Sequence, residues 1–475
     1  MLATIKRLLP LAPLVILAAC DGNSGGDDNQ PAAAATATGV IEVIHASQDA
    51  PAVNVLAGGT EVISGLDYRQ ADFLTVNAGD IPLEVEGLLP AGGTATVIPS
   101  SGNPAPVVTL GADQRITVIA AGDVANIEPI VLLDDSPAVA DGDVRLRIVH
   151  AASTAPPVEV WLSEPGVDLT NPGNATLIHA VFSFGDELTA DPLVVPSGDY
   201  QVRVSLPGDP ENPLFDSGTI ALAGGADLVI AAVANTGPGE APVALLASTG
   251  SALVEFNDVD TPATVRVVHA SPDAPPVDVL VNNTIRAVQG AAYEAVTNYI
   301  PLTPDTYNFK VVPEAGEPAD AVINADLSLS QGSEATVLAV GTLTQPNFPI
   351  EPLVLSDDNR RVTTEARLRL VHASITAGPV DIYVAAGGSL TPDIDTSLNF
   401  VFEATAVPFK ADTGYLTLPE GQYDIAIAPT GTTGAAIGPL TVDILAGGIY
   451  TAVARDEAGI GLPLGVILLD DFVSP

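Results

Sequence analysis

The stretch Val265-Arg-Val-Val-His269-Ala-Ser-Pro-Asp-Ala-Pro-Pro-Val-Asp-Val279 alternates apolar and polar residues on both sides of a proline-rich turn. Val265, Val267 and His269 therefore share one face of a strand, and Val277, Val279 and Val281 share a face of the next, while Arg266 and Asp278 point the other way. The same phrase returns as Ile41-Glu-Val-Ile-His45-Ala-Ser, Arg145-Leu-Arg-Ile-Val-His150-Ala-Ala-Ser and Arg367-Leu-Arg-Leu-Val-His372-Ala-Ser. A phrase that recurs at domain-sized intervals marks an array of modules.

The array is itself duplicated. The step from His45 to His150 matches that from His269 to His372, and the intervening step is longer. The first and third copies read Asp49-Ala-Pro51 and Asp273-Ala-Pro275 after the histidine, whereas the second and fourth read Thr154-Ala-Pro156 and Thr376-Ala-Gly378. The second and fourth also share Arg-Leu-Arg before it and a longer insertion, with Leu169-Thr-Asn-Pro172 and Phe182-Ser-Phe184 matched by Leu390-Thr-Pro392 and Phe400-Val-Phe402. The order is A-B-A-B.

Outside the first twenty residues the pattern is short Val, Ile, Leu and Thr runs between Gly, Pro, Asn and Asp clusters, which predicts an all-β protein. Near-continuous apolar runs at Ile116 to Ala121, Leu228 to Ala234, Thr336 to Val340 and Tyr450 to Ala454 predict central strands covered on both faces by packed sheets. A turn ahead of a strand tyrosine recurs as Pro196-Ser-Gly-Asp-Tyr200, Pro304-Asp-Thr-Tyr307 and Pro419-Glu-Gly-Gln-Tyr423, and resembles the corner tyrosine of immunoglobulin-like sandwiches. The first module has Asn77-Ala-Gly-Asp-Ile81 there and lacks the phenol. Modules of about a hundred residues can bury cores of their own, so the reading is four tandem immunoglobulin-like β-sandwich modules at 40–137, 142–257, 262–359 and 364–475. Acidic, Pro-containing stretches mark the module ends. The longer Ala247 to Ala263 segment predicts more freedom between the second and third modules than within a pair.

The phrase around His269, with its later Pro-x-x-Tyr turn, is similar to DUF4397 modules, closely in the first and third copies and more loosely in the other two. The resemblance covers nearly all of the chain beyond its first forty residues. It implies an exported bacterial or archaeal β-sandwich and supplies neither an activity nor a site.

Residues 1–19 have the parts of an export signal, with Lys6 and Arg7, an apolar run from Leu8 to Leu17 too short to span a bilayer, and then small residues. Leu17-Ala18-Ala19-Cys20 resembles a bacterial lipobox, and Cys20 is the only cysteine among 475 residues. Cys20 is therefore expected to carry lipid, which makes the membrane a partner, and residues 20–39 have the composition of a flexible tether. Asp21 beside it leaves the choice of membrane open. The expected location is extracytoplasmic, at a bacterial membrane or cell surface.

With 58 acidic against 16 basic residues and a formal net charge of −42, nucleic acid and anionic surfaces are excluded as partners. A solvated acidic surface explains this charge. Calcium is the sharper alternative, but only the short pairs Asp258-Val-Asp260 and Asp393-Ile-Asp395 approach a binding loop.

His45, His150, His269 and His372 invite a metal reading. Each module offers only one, however, and His179 is the sole further histidine, whereas a zinc site wants three or four ligands. They read instead as core residues satisfied by the following turn, with Ser47, Ser153, Ser271 and Ser374 as partners. Neither a nucleophile elbow nor a phosphate-cradling glycine loop is present. Acidic pairs suited to glycoside hydrolysis are too abundant to inform. Trp161 and Tyr383, at matching positions in the two B modules, could stack on a sugar, although packing in the core is the commoner use of such rings. No catalytic residue, metal or cofactor is assigned. The expectation is a non-catalytic structural, spacer or adhesive array. The alternative is a receptor for a glycan, peptide or ion through the B-module insertions, and an envelope protein or glycan is the partner either reading allows.

Overall fold

The computed structural model describes residues 37–473 apart from 135 and 172–174, and leaves the side chains of 91 and 189–191 undescribed. The signal, Cys20 and nearly all of the tether lie outside the described residues, as does Pro172 of the second-module insertion. Among the described residues the regular structure is strand, with three single-turn 3-10 helices. No described helix is long and apolar enough to cross a membrane.

The third module shows the plan. Its first sheet runs in the order Ile300–Leu302, Ala263–His269, Glu334–Val340, Glu351–Asp357, and its second Ile285–Ala291, Val277–Val281, Asp305–Pro313, Ile323–Leu329. The histidine strand lies parallel to Glu334–Val340, with Val265 opposite Ala335 and His269 opposite Ala339. A parallel pair needs a long crossover; here the chain supplies it by building the whole second sheet between the two strands. This makes the first sheet mixed, one difference from the antiparallel sheets of immunoglobulin domains. The same plan recurs on Thr38–His45, Asp143–His150 and Ala366–His372, each parallel to a later strand.

The turn ahead of that later strand is reproduced bond for bond. The amides of Asp113, Gly225, Gly332 and Gly447 donate to Thr38, Asp143, Pro262 and Glu365 at 2.8, 2.8, 3.1 and 2.7 Å. All four residues have positive φ, between 59° and 79°, which favours glycine at three of them. The corner tyrosines behave as expected: Tyr200, Tyr307 and Tyr423 donate to the carbonyls of Pro196, Thr303 and Pro419 at 2.9, 2.8 and 2.8 Å.

Inward residues of the two sheets form each sandwich core, for example Val265, Val279, Tyr307 and Val311 in the third module. The outward face of the histidine strand is also covered, by the neighbouring module. Ile44, Ala46 and Ile119 of the first module pack on Val149, Val229 and Ala231 of the second. Val268, Ala270 and Leu338 of the third pack on Val371, Ala373 and Val453 of the fourth. Burying one Val or Ile side chain contributes about 1.5–3 kcal/mol, so these strips make the pair a unit. The apolar runs read as central strands thus have their two covers, one from their own second sheet and one from the partner module.

The segment expected to give freedom between the pairs is tied down. Leu253–Phe256 adds a fifth strand to the second module's first sheet, beside Val243–Ser248. Asp258 then accepts the Asp216 amide at 2.7 Å and, through its carbonyl, the Gln331 side chain at 2.6 Å, bridging the second and third modules. A second tie joins the first module to the segment between the third and fourth: Arg360 donates to the Ala50 carbonyl at 2.9 Å and to Asp67 at 2.6 Å, and the Thr363 amide to the Asp49 carbonyl at 2.9 Å.

Candidate functional site

The four repeat histidines end the innermost strand and are each 2% exposed or less. Nε2 of His45, His269 and His372 meets the carbonyl six residues on, at Pro51, Pro275 and Gly378, over 2.9, 3.2 and 2.7 Å. Nδ1 of His45 and of His269 accepts the amide of Ser47 and of Ser271, both at 3.3 Å. The backbone of these two serines, rather than the hydroxyl, satisfies the ring. In the second module Ala152 takes the place of that serine and Ser153, one position on, donates to Asp123 of the first module; the His150 ring faces the Pro156 carbonyl but neither nitrogen reaches a partner within hydrogen-bond distance. Burial pushes all four imidazoles below their ordinary value of 6.5, against the raising effect of the backbone carbonyl each ring faces.

Each histidine ring also meets an aromatic ring: Tyr68, Phe182, Tyr293 and Phe409, at 6.1, 6.0, 6.0 and 6.5 Å. After Tyr68, Tyr293 and Phe409 the chain turns through Arg69, Glu294 and Lys410 at positive φ, and each of these amides donates back to the histidine carbonyl, at 2.9, 2.8 and 2.8 Å. In the two A modules the ring is tyrosine, and its hydroxyl crosses to the B module. Tyr68 donates to Ala234 and Tyr293 to Asp456, both at 2.6 Å. These tyrosines were not singled out from the sequence, where a lone aromatic far from its histidine leaves only the repeat alignment as a signal.

A buried ionic network closes each pair. In the first, Arg147 is held by Asp134 at 2.5 Å and by Asp227, which also takes Arg145 at 2.8 Å. In the second, Asp357 accepts Arg369 at 2.6 Å, Tyr299 at 2.8 Å and Thr336 at 2.5 Å, while Arg266 reaches Asp470 at 2.6 Å. Arg266 points out of its own sandwich as expected, but into the next module rather than into water. Tyr415, beneath the Arg369 guanidinium at 4.6 Å, is pushed up to about 12 by burial.

Asn54, Glu159, Asp278 and Asp381 occupy one repeat position on the outer face of the second sheet, where they pin loops. Asp278 accepts the amides of Gly290 and Ala315 at 2.6 and 2.9 Å and pairs with Arg286. Asp381 accepts those of Ala406 and Gly431 at 2.8 and 3.0 Å. Burial is the largest single effect on Asp278 and raises it, but the backbone and Arg286 donors together outweigh it and hold the carboxyl below the ordinary range; backbone and Thr430 donors do the same for Asp381.

The stacking aromatics are occupied. Tyr383 is 3% exposed, its ring 4.9 Å from Phe400, inside a cluster with Leu390 and Ile394 of the fourth-module insertion. That insertion covers the outer sheet face instead of offering a ring to solvent, so a stacking role for Tyr383 does not fit its burial. Trp161 is half-buried, and its indole donates to Ser205 at 3.2 Å. The short acidic pairs serve turns: Asp258 holds Asp216, and Asp393 accepts Thr433 at 2.6 Å. Among the described residues no three His, Cys, Asp or Glu side chains are grouped to hold a metal ion. Ser374, buried near His372, donates to Asp456 at 2.7 Å rather than to the imidazole.

A family model described as domain of unknown function (DUF4397) matches residues 39–161 and 263–383, each match beginning in an A module and running into the B module. No curated protein matches the chain. Among solved structures the chain is similar to the Bacillus anthracis TIE protein, at 11% identity over 89% of this chain and 68% of that one with a TM-score of 0.15. It is similar also to a streptococcal ancillary pilin, at 12% identity over 66% and 99% with a TM-score of 0.13. The RrgB pilus protein from Streptococcus pneumoniae gives 9% identity over 86% and 93%, again with a TM-score of 0.13. All three TM-scores are low, and none bears on what this chain does.

Proposed function

Because the chain belongs to the DUF4397 domain family and carries that module in two tandem A-B pairs, we propose that it is a non-catalytic, lipid-anchored spacer of the bacterial cell envelope. One observation carries the reading: the repeated side chains that could do chemistry are spent on holding the fold. Three of the four histidines bond turns and the fourth is buried, the A-module tyrosines bond the neighbouring module, and the interface arginines are consumed in buried ion pairs. What remains at the surface is acidic and solvating, and it resists collapse onto other acidic surfaces.

The anchor is Cys20 behind the signal of Lys6, Arg7 and the Leu8 to Leu17 run, with the acidic, glycine-containing segment after it as tether. Phase partition of the protein made in a bacterium tests this. The native chain enters the detergent phase with the mass of a lipidated cysteine, and Cys20→Ser leaves it in the aqueous phase. Equal partition of the two overturns the anchor. The spacer role is tested on glycan arrays and by pull-down from the native envelope. A glycan bound by the native chain and lost in Trp161→Ala would replace the spacer with a receptor.

A further inference from the structure

In the second module the two sheets part along one edge. Between Pro213–Leu222 on one sheet and Val243–Ser248 with Leu253–Phe256 on the other lies a cavity of about 200 Å³. Leu146, Leu162, Val202, Leu228, Ile230 and Phe256 wall it, and it reaches solvent past Ala223 and Thr249, both exposed. No charged side chain lines it.

The fourth module shows what the fold puts in this space. Leu228 pairs with Leu146 across the parallel strands as Tyr450 pairs with Leu368, so Leu228 and Tyr450 hold the same repeat position. The turns before them correspond: the amides of Ala226 and Gly448 donate to the carbonyls of Ala223 and Leu445 at 3.2 and 3.0 Å. In the fourth module the Tyr450 ring is buried, lies 4.9 Å from Phe472, and its hydroxyl accepts the Leu445 amide at 3.1 Å. Ala223, the counterpart of Leu445, stands at the mouth of the second-module cavity.

We propose that this cavity binds a small uncharged phenol, its ring where Tyr450 places one in the fourth module and its hydroxyl on the Ala223 amide. The size agrees, since a dry cavity of about 150 Å³ lined by Leu, Ile and Phe takes up benzene. The chemistry agrees as well: an apolar wall without a counter-charge rejects an ion, and the net charge of −42 repels anions before they arrive. Between the sheets of the third and first modules the cavities are smaller, about 90 Å³ and 10 Å³. One ligand per chain is expected.

Calorimetric titration of the full chain with p-cresol, toluene and p-hydroxybenzoate at neutral pH tests this. Saturable binding of one p-cresol per chain is expected. Toluene, which cannot use the amide, should bind about 2- to 12-fold more weakly, the equivalent of one hydrogen bond, and p-hydroxybenzoate should not saturate. Leu228→Tyr, which installs the fourth module's own ring, should abolish p-cresol binding and raise Tm. If that variant fails to fold, Ala247→Leu fills the same space from the opposite strand. Absence of saturation in the native chain, or binding that survives in both variants, overturns the site. Toluene binding as tightly as p-cresol overturns the assignment of the hydroxyl to Ala223.

Discussion

Replacing Asp357 by leucine should uncouple the third module from the fourth. Its carboxylate has no solvent exposure and is the acceptor on which Arg369, Thr336 and Tyr299 converge from both modules. The substitution strips Arg369, itself 2% exposed, of its counter-ion. Removing one partner of a buried ion pair costs about 3–5 kcal/mol, because the other charge stays buried without compensation. At about 1.4 kcal/mol per tenfold, amide exchange through opening of the pair should accelerate roughly a hundredfold to several thousandfold. Hydrogen exchange of the full chain should show this in Ala263–His269 and equally in Ala366–His372, since the two strands face each other. Glu351→Ala is the control: it pairs across the same two modules with Lys410, both side chains being well exposed, and loss of a surface pair costs about 0–1 kcal/mol. Adding Arg369→Met to Asp357→Leu should restore much of the protection, because apolar residues tolerate the site once both charges are gone. Faster exchange confined to the third module, or Asp357→Leu no worse than Glu351→Ala, would refute the coupling.

Three further outcomes are expected. Each repeat histidine has a folded value below the unfolded 6.5, so the unfolded chain binds more protons below that pH. Their contribution is therefore complete above pH 6.5 and is lost as pH falls below it; urea midpoints that stay constant from pH 7 to about pH 5 would contradict this. Tyr423→Phe removes the hydroxyl bonded to Pro419 at 2.8 Å and should cost about 0.5–1.5 kcal/mol, read as a lower urea midpoint of the fourth module by residue-resolved exchange. Arg360→Ala deletes the side-chain part of the tie from the third-to-fourth segment to Ala50 and Asp67 of the first module, and should enlarge the radius of gyration in small-angle scattering; an unaltered profile would show that the Thr363–Asp49 bond and the Asp258 bridge suffice without it.

The strands, the repeat and its A-B-A-B order were legible because each rests on local pattern. Period-two alternation sets the faces of Val265 to His269, the Pro272 to Pro276 run sets the turn, and the Pro-x-x-Tyr corners make a bond four residues long. The pairing of modules was not legible, for a physical reason. Arg266 looks like a solvent-facing residue in an alternating strand, and only its partner Asp470, some two hundred residues away, shows that it is buried. No spacing rule connects them. The positive-φ turns at Arg69, Glu294 and Lys410 escaped for the opposite reason, since they are local but use residues that do not advertise that conformation. Trp161 and Tyr383 stood out as aromatics at matching positions in the B modules, and a matching position does not report whether a neighbouring insertion covers the ring.

The A-B alternation is best understood as the imprint of that hidden interface. The first and third modules differ at two interface positions by exchange of charge: Glu42 corresponds to Arg266, and Arg115 to Glu334, by strand register. The partners differ to match. Asp227, which binds Arg145 and Arg147 in the first pair, is replaced by Ile449 in the second, and Asp470 there receives Arg266. In both pairs the buried guanidiniums meet carboxylates: Asp134 and Asp357 hold one repeat position and take Arg147 and Arg369, whereas the second carboxylate has moved from Asp227 to Asp470. A solvated surface would not need this balance, because water compensates each charge separately; a desolvated one does, because an unmatched ion there costs several kcal/mol. For the arginines the exchange across each pair is compensated, whereas the buried Glu42 carboxylate is met, among the described residues, only by the Thr117 hydroxyl. The corollary is that an A module should bind the B module of the other pair less well: Arg266 would face Thr249 in place of Asp470 and keep only the longer contact with Asp357 of its own module, at 4.0 Å.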